Sequence, residues 1–407
     1  MKYRISVLLM LVLGKAYRLM LGIVQYRSAG NPTPEAVADV YDRETYEIWK
    51  RYSAEKSRLD IVSTGLSFAL MLVLLCSDAH AAFAGLFPKA PVMQMLAVVL
   101  LEALAETVLG VGISYVNTMV IEQKYGFNRS SMKTFVFDQL RNLAVELGLS
   151  VFLAWVLMKL HLSVGNWLIP LFAAVMFVFT LVISFLYPVL SRIGNKFVPL
   201  EEGDLKDRLV GLLNKHGYQV KAIEVMDASR RTTKLNAYFT GFGKLKTIVL
   251  YDNLVNAMTP DEICAVFAHE LGHGLHKDVL KRQILNFGNM LLMAAVVWLS
   301  VRLPQVHEAF GFEELNYGFA YILTVLGLEV VQPLAGMVMN AYSRFGEYRA
   351  DRQAVREGYG EAMIQGLKKL ARENFSHLAP SKINVVLEYS HPPLHQRIEA
   401  VEKELKK

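Results

Sequence analysis

Residues 269–273 read His-Glu-Leu-Gly-His. Two imidazoles four positions apart share one face of a helix and can reach a single metal ion. The helical repeat turns Glu270 about 100° away from His269. That sets a carboxylate beside the ion rather than on it, where a general base takes a proton from water. Two ligands do not complete a catalytic zinc site, which takes three from the protein and keeps a fourth position open. The metzincin extension would need glycine at 276 and histidine at 279; the chain has His276 and Val279, which excludes that class. Two candidates remain for the third ligand. His276 lies on roughly the same face, but three ligands from one short helix strain a tetrahedron. Glu347 and Asp351, four residues apart, also share a face. Glu347 would bind the ion and Asp351 would accept the outer N–H of a ligating histidine, fixing its tautomer. The plainer reading of that pair is a solvated face shared with Arg344, Arg349 and Arg352.

The elements that must carry these groups are legible. Thr259-Pro260-Asp261-Glu262 is a capping box with proline at the first helical position. Ile263, Val266, Phe267 and Leu271 then recur at helical spacing, which predicts a helix over about 260–276. Upstream, Leu205, Leu209, Leu212 and Leu213 mark an amphipathic helix, and residues 220–225 alternate like a strand. Residues 236–240 and 247–251 flank Gly241-Phe242-Gly243-Lys244, the pattern of a β-hairpin. Cys76 and Cys264 have no zinc or redox spacing and read as structural thiols in a reducing compartment.

The chain has 407 residues, of which 53% are hydrophobic. That is too apolar for an ordinary soluble enzyme. Apolar runs at roughly 61–77, 92–119, 142–160, 166–190, 285–303 and 317–340 each approach the ~20 residues that cross a bilayer core. Residues 4–25, interrupted by Lys15 and Arg18, make a seventh, read as a span rather than a signal peptide. Segments 26–60, 120–141, 191–284 and 343–407 are rich in Lys and Arg, whereas the intervening connections are short and carry few. Alternate loops are therefore basic, which places the segment holding His269 in the cytoplasm. This asymmetry accounts for the formal net charge of +6, and no aromatic-interleaved basic patch argues for nucleic acid. The organisation expected is membrane helices one to five with a cytoplasmic helical loop over 1–195, a soluble α+β catalytic segment over 196–283, helices six and seven over 284–342, and a helical C-terminal segment over 343–407. Residues 35–58 read as a cytoplasmic helix ahead of the second span. Glu102, Glu106, Asp138, Arg141, Glu146 and Glu329 lie within or at the ends of apolar runs. Charges there cost several kcal/mol against lipid, so they should face water or one another.

Taken jointly, several phrases resemble the type I CAAX prenyl endopeptidases, integral-membrane zinc proteases related to a bacterial heat-shock membrane protease. They are His269–His273; Ser343-Arg344 with Glu347-Tyr348 and Ala350-Asp351; Asn236-Ala237-Tyr238-Phe239; and His391-Pro392-Pro393 with Arg397. Tyr125-Gly126-Phe127-Asn128 and Phe197-Val198-Pro199-Leu200 are also similar to the prenyl protease branch. The resemblance implies a mainly α, polytopic fold of about seven transmembrane helices around a large chamber, with a small zinc-protease domain on the cytoplasmic side. It implies one zinc ion per chain on His269, His273 and Glu347, with Glu270 as base. It puts Asn236, Ala237 and Tyr238 on a strand that pairs with the substrate, His391 near the active site, and Arg397 against the acidic residues around the zinc. His391 would help hold the oxyanion, or else be a loop residue set by its two prolines. Partners would be the lipid bilayer and the C-terminus of a protein or peptide, prenylated in the CAAX manner. The location would be a bacterial inner membrane with the site facing the cytoplasm, or the endoplasmic reticulum in a eukaryote. Two alternatives carry different chemistry: a membrane-protein quality-control protease without prenyl dependence, and a transporter or channel with a regulatory zinc site, which would need no base between its ligands.

Overall fold

Helices dominate because apolar runs in a bilayer must satisfy every backbone group internally. The computed structural model describes residues 1–192, 194–218, 222–240 and 247–407. The first half holds α1 (Lys2–Ser28), α2 (Arg43–Cys76), α3 (Ala79–Ala84), α4 (Pro91–Tyr115), α5 (Met132–Val164) and α6 (Leu168–Leu190). A mixed segment comes next, with β1 (Phe197–Pro199), α7 (Asp204–Lys215), β2 (Ala222–Met226), β3 (Ala237–Thr240), β4 (Thr247–Tyr251), α8 (Asp252–Ala257) and α9 (Pro260–Leu275). The chain ends with α10 (Asp278–Arg302), α11 (Pro304–Glu308), α12 (Tyr317–Arg356), α13 (Gly360–Glu373), α14 (Lys382–Leu387) and α15 (Leu394–Leu405).

Among the described residues, α1, α2, α4, α5, α10 and α12 are long and apolar enough to cross a membrane. The apolar helix α6 packs between α5 and α10. Neighbouring pairs run α1–α2–α4–α5–α6–α10–α12 and back to α1, a closed ring of seven. The charges within it face one another or water. Lys15 pairs with Glu329 at 2.8 Å, Asp138 with Arg141 at 3.2 Å, and Glu102 with His80 at 2.9 Å. Glu102, Glu106 and Glu146 line a cavity of about 400 Å³ between α2, α4 and α5.

Two boundaries differ from those the sequence suggests. Residues 43–76 form one helix, so the polar helical stretch and the second span are continuous. Asp42 caps it by accepting the Thr45 N–H at 2.7 Å, and no proline stands between there and Cys76. Likewise α12 runs for 40 residues through its internal Pro333 and carries the last span straight into the segment holding Glu347.

The sheet order is β1-β2-β4-β3. β3 and β4 pair antiparallel as the hairpin pattern predicts, Ala237 opposite Leu250, whereas β2 runs parallel to β4. The glycine-rich turn 241–244 and residues 220–221 of the expected strand lie outside the described residues. α9, buried along most of its length, packs between α12, α13 and α7.

Candidate active site

α9 starts where the capping box requires. Thr259 Oγ1 accepts the Glu262 N–H at 3.3 Å and Glu262 Oε2 accepts the Thr259 N–H at 2.8 Å. From that start, His269 and His273 fall on the face turned to α12. The helices approach closely there: a Cβ on Gly272 would lie 3.0 Å from both Ala350 Cα and Gln353 Cβ. The crossing brings Glu347 Oε2 to 3.6 Å from His269 Nε2 and Glu347 Oε1 to 3.3 Å from His273 Nε2. His276 does not join this group, which comprises His269, His273 and Glu347.

Each imidazole has a carboxylate behind it. His269 Nδ1 donates to Asp351 Oδ1 at 2.8 Å, and His273 Nδ1 to Asp278 Oδ2 at 3.1 Å. With Nδ1 protonated, each Nε2 lone pair points inward. Asp351 is also gripped by Arg397 through Nε at 2.9 Å and Nη2 at 2.6 Å. Arg397 Nη1 lies 3.5 Å from Glu347 Oε2. The other oxygen of Asp278 accepts from Arg349. The spacing of residues gives Asp278 no role and Arg349 only a place on a solvated face. The one signal for Asp278 is a carboxylate in the first turn of the next helix. What brings it under His273 is Lys277, a non-glycine at φ 54° that breaks the helix between α9 and α10.

The donor set fits a divalent cation. Two ligands about 2.1 Å from a tetrahedral ion are about 3.4 Å apart, close to the separations seen. Glu347 is buried, and its Oε2 has no hydrogen-bond partner. Four carboxylates (Glu270, Asp278, Glu347 and Asp351) face two guanidiniums, Arg349 and Arg397. Such an acidic excess in a largely buried cluster is what a divalent ion offsets. Glu270, half-buried beside them, has its carboxyl pushed above the ordinary range by burial.

The remaining candidates border this cluster. His391 Nε2 lies 3.4 Å from Glu347 Oε1, while 65% of its side chain stays exposed; the ring hangs into open space over the site. Its Nδ1 is 2.9 Å from Ser390 Oγ. Asn236 is exposed and sits just before β3. Its carbonyl accepts the Tyr251 N–H at 3.1 Å, and its own Oδ1 accepts the Ala237 N–H at 2.9 Å. Ala237 and Tyr238 open β3, which forms one edge of the sheet and packs on α9. An edge strand of this kind offers unpaired backbone groups to an extended peptide.

A carboxylate beside a triad that could hold a cation, with Glu347 on a helix that continues from the membrane ring, is the equipment of an integral-membrane metalloendopeptidase. The comparisons agree along the whole chain. Residues 23–192 match the family model for the CAAX prenyl protease N-terminal region with five membrane helices, and residues 199–405 match peptidase family M48. CAAX prenyl protease 1 homologs are 30% identical in Arabidopsis thaliana, over 92% of this chain and 91% of that one, and 29% identical in Oryza sativa subsp. japonica, over 98% and 97%. The crystal structure of S. mikatae Ste24p superposes with a TM-score of 0.91 at 25% identity, covering 98% of this chain and 99% of that one. The chain belongs to the CAAX prenyl protease branch of peptidase family M48. This membership sets aside the transporter alternative.

Proposed function

We propose that this protein cleaves peptide bonds near the C-terminus of prenylated, CAAX-type substrates, with one zinc ion held by His269, His273 and Glu347. The observation that carries the reading is the convergence of these three donors, each histidine backed by its own buried carboxylate. A bound zinc ion supplies Lewis acidity and makes water a stronger acid. Glu270 takes the proton of the attacking water and later delivers it to the leaving amine. Asp351 and Asp278 keep both Nε2 atoms turned inward, and Arg397 balances the charge of Asp351 and Glu347. His391 donates from Nε2 to the oxygen on which charge develops. The substrate lies extended along β3, pairing with the backbone from Asn236 through Tyr238. The site works from the cytoplasmic side, a reading that the basic loops support.

One observation favours the second reading, quality control without prenyl dependence. A cavity within the ring mixes the carboxyls of Glu102, Glu106 and Glu146 with apolar side chains such as Leu70, Leu109 and Leu143, so it is not a purely apolar slot for an isoprenyl chain. One experiment addresses both: incubation of a farnesylated peptide and its unfarnesylated twin with the wild type and with Glu270→Gln, recording product masses. The expected result is release of the terminal residues from the farnesylated peptide only, and none by Glu270→Gln with zinc still bound. Equal cleavage of both peptides supports quality control; turnover by Glu270→Gln overturns the mechanism.

A further inference from the structure

The segment that brings His391 to the site has no ladder or helix of its own. It leaves α14 at Leu387 and enters α15 at Leu394. The last carbonyls of a helix lack intrahelical partners, and here side chains of α12 take them. Arg344 Nη1 donates to the carbonyl of Val385 at 2.8 Å and to that of Tyr389 at 2.6 Å. Asn340 Nδ2 donates to the Leu387 carbonyl at 3.1 Å. Asn340, Arg344, Glu347 and Asp351 are spaced by four, three and four residues, the repeat of a single helix face. The face that presents Glu347 to the histidines therefore also grips the strap that carries His391.

The far end of the strap is gripped from the same face. Pro392 and Pro393 are buried and fix their own φ angles. In the first turn of α15, Arg397 makes a two-pronged contact with Asp351. His391 thus hangs between two arginine contacts to one face of α12, one made by Arg344 of α12 itself and the other by Arg397 of α15 to Asp351. Tyr389, whose carbonyl is held, lies two residues away, about 7 Å of chain at most. Without Arg344, the α14 end of the strap would keep the Asn340 bond to the Leu387 carbonyl and the Tyr17 bond to Glu388, both farther along the chain from His391.

We infer that Arg344 is a positioning residue for His391: its two hydrogen bonds, one to the end of α14 and one to the strap, fix where the imidazole sits over Glu347. The inference rests on the proposed part of His391 in turnover. One terminal nitrogen, Nη1, serves both carbonyls with its two N–H bonds.

The test is a double-mutant cycle on purified full-length protein in liposomes, with the farnesylated peptide as substrate and zinc content measured for every variant. His391→Ala lowers kcat by about 100-fold, the loss typical of one oxyanion donor. Arg344→Ala lowers kcat by about 10-fold or more with KM changed less than about threefold, and adds almost nothing in the His391→Ala background. Arg344→Lys recovers part of the loss. A second readout does not depend on turnover: carbethoxylation of His391 by diethyl pyrocarbonate, resolved by peptide mass, speeds up severalfold in both Arg344 variants. Losses that add fully in the cycle overturn the role of Arg344 while leaving that of His391. Full activity of His391→Ala overturns both. An unchanged carbethoxylation rate overturns the positioning role whether or not the peptide is cut, and loss of zinc from Arg344→Lys reassigns the residue to the metal site.

Discussion

Gly272 offers the sharpest test of how the site is held together. In an isolated helix, Gly→Ala is worth about 1 kcal/mol of stabilisation. Here the added methyl would meet Ala350 Cα and Gln353 Cβ at 3.0 Å and the Ala350 carbonyl at 3.4 Å, whereas carbon atoms rest at about 3.5–4.0 Å. Ala350 Cα is backbone and cannot swing aside, so α9 must back away from α12 by roughly 0.5 Å or more. Overpacking of this kind costs about 1–3 kcal/mol, which exceeds the propensity gain. The same displacement stretches the 3.3 and 3.6 Å separations that His273 and His269 keep from Glu347, and metal sites tolerate only about 0.2 Å. Gly272→Ala should therefore lower zinc affinity about 10- to 100-fold by chelator competition and lower the Tm of the purified protein. Gly148→Ala is the control: it lies within α5 with nothing within 4 Å of its added Cβ, so it should be neutral or slightly stabilising. A Gly272→Ala protein that holds zinc and heat as well as the wild type would refute the claim that close helix approach sets the site.

Two further outcomes rest on named contacts. Asp278→Asn, which loses the charge behind His273, should weaken zinc binding about 10- to 100-fold with little change in overall helicity by circular dichroism; undiminished affinity would remove Asp278 from the site. His377 Nδ1 accepts the Ala379 N–H at 3.3 Å, its Nε2 meets Ser28 Oγ at 2.8 Å, and its ring packs edge-on to Trp49. Burial lowers its pKa to about 4, so the folded state holds it neutral. The unfolded chain takes up that proton below about 6.5, so stability is complete above pH 6.5 and declines between 6.5 and 4, by at most roughly 3 kcal/mol. His377→Gln should flatten that stretch of the urea midpoint against pH, and an unaltered slope would show that another group titrates.

The parts of the molecule that obey local rules were legible in the sequence. The capping box set the start of α9 and so the facing of its histidines. The spacing of Glu347 and Asp351 showed that they share a face, although only the fold shows that the face meets α9. Asp278 escaped notice because its approach to His273 depends on one left-handed lysine, a conformation that periodicity does not encode. The merger of the polar helical stretch into α2 escaped for the opposite reason. A polar stretch and an apolar one differ in composition, but a helix crosses the junction wherever no breaker stands. The parallel pairing of β2 with β4 depends on a crossover, beyond the reach of a hairpin pattern.

The continuity of α12 has a consequence for what can be cut. Forty residues at 1.5 Å each make a rod about 60 Å long, roughly twice the thickness of a bilayer's oily layer. The surplus stands above the lipid as a depth gauge, with Glu347 about 10 Å beyond the last apolar turn at residue 340. That height equals the stretch of about three extended residues. A polypeptide tethered to the bilayer by its own grease would reach the blade only if its weak point lay that short distance from the tether.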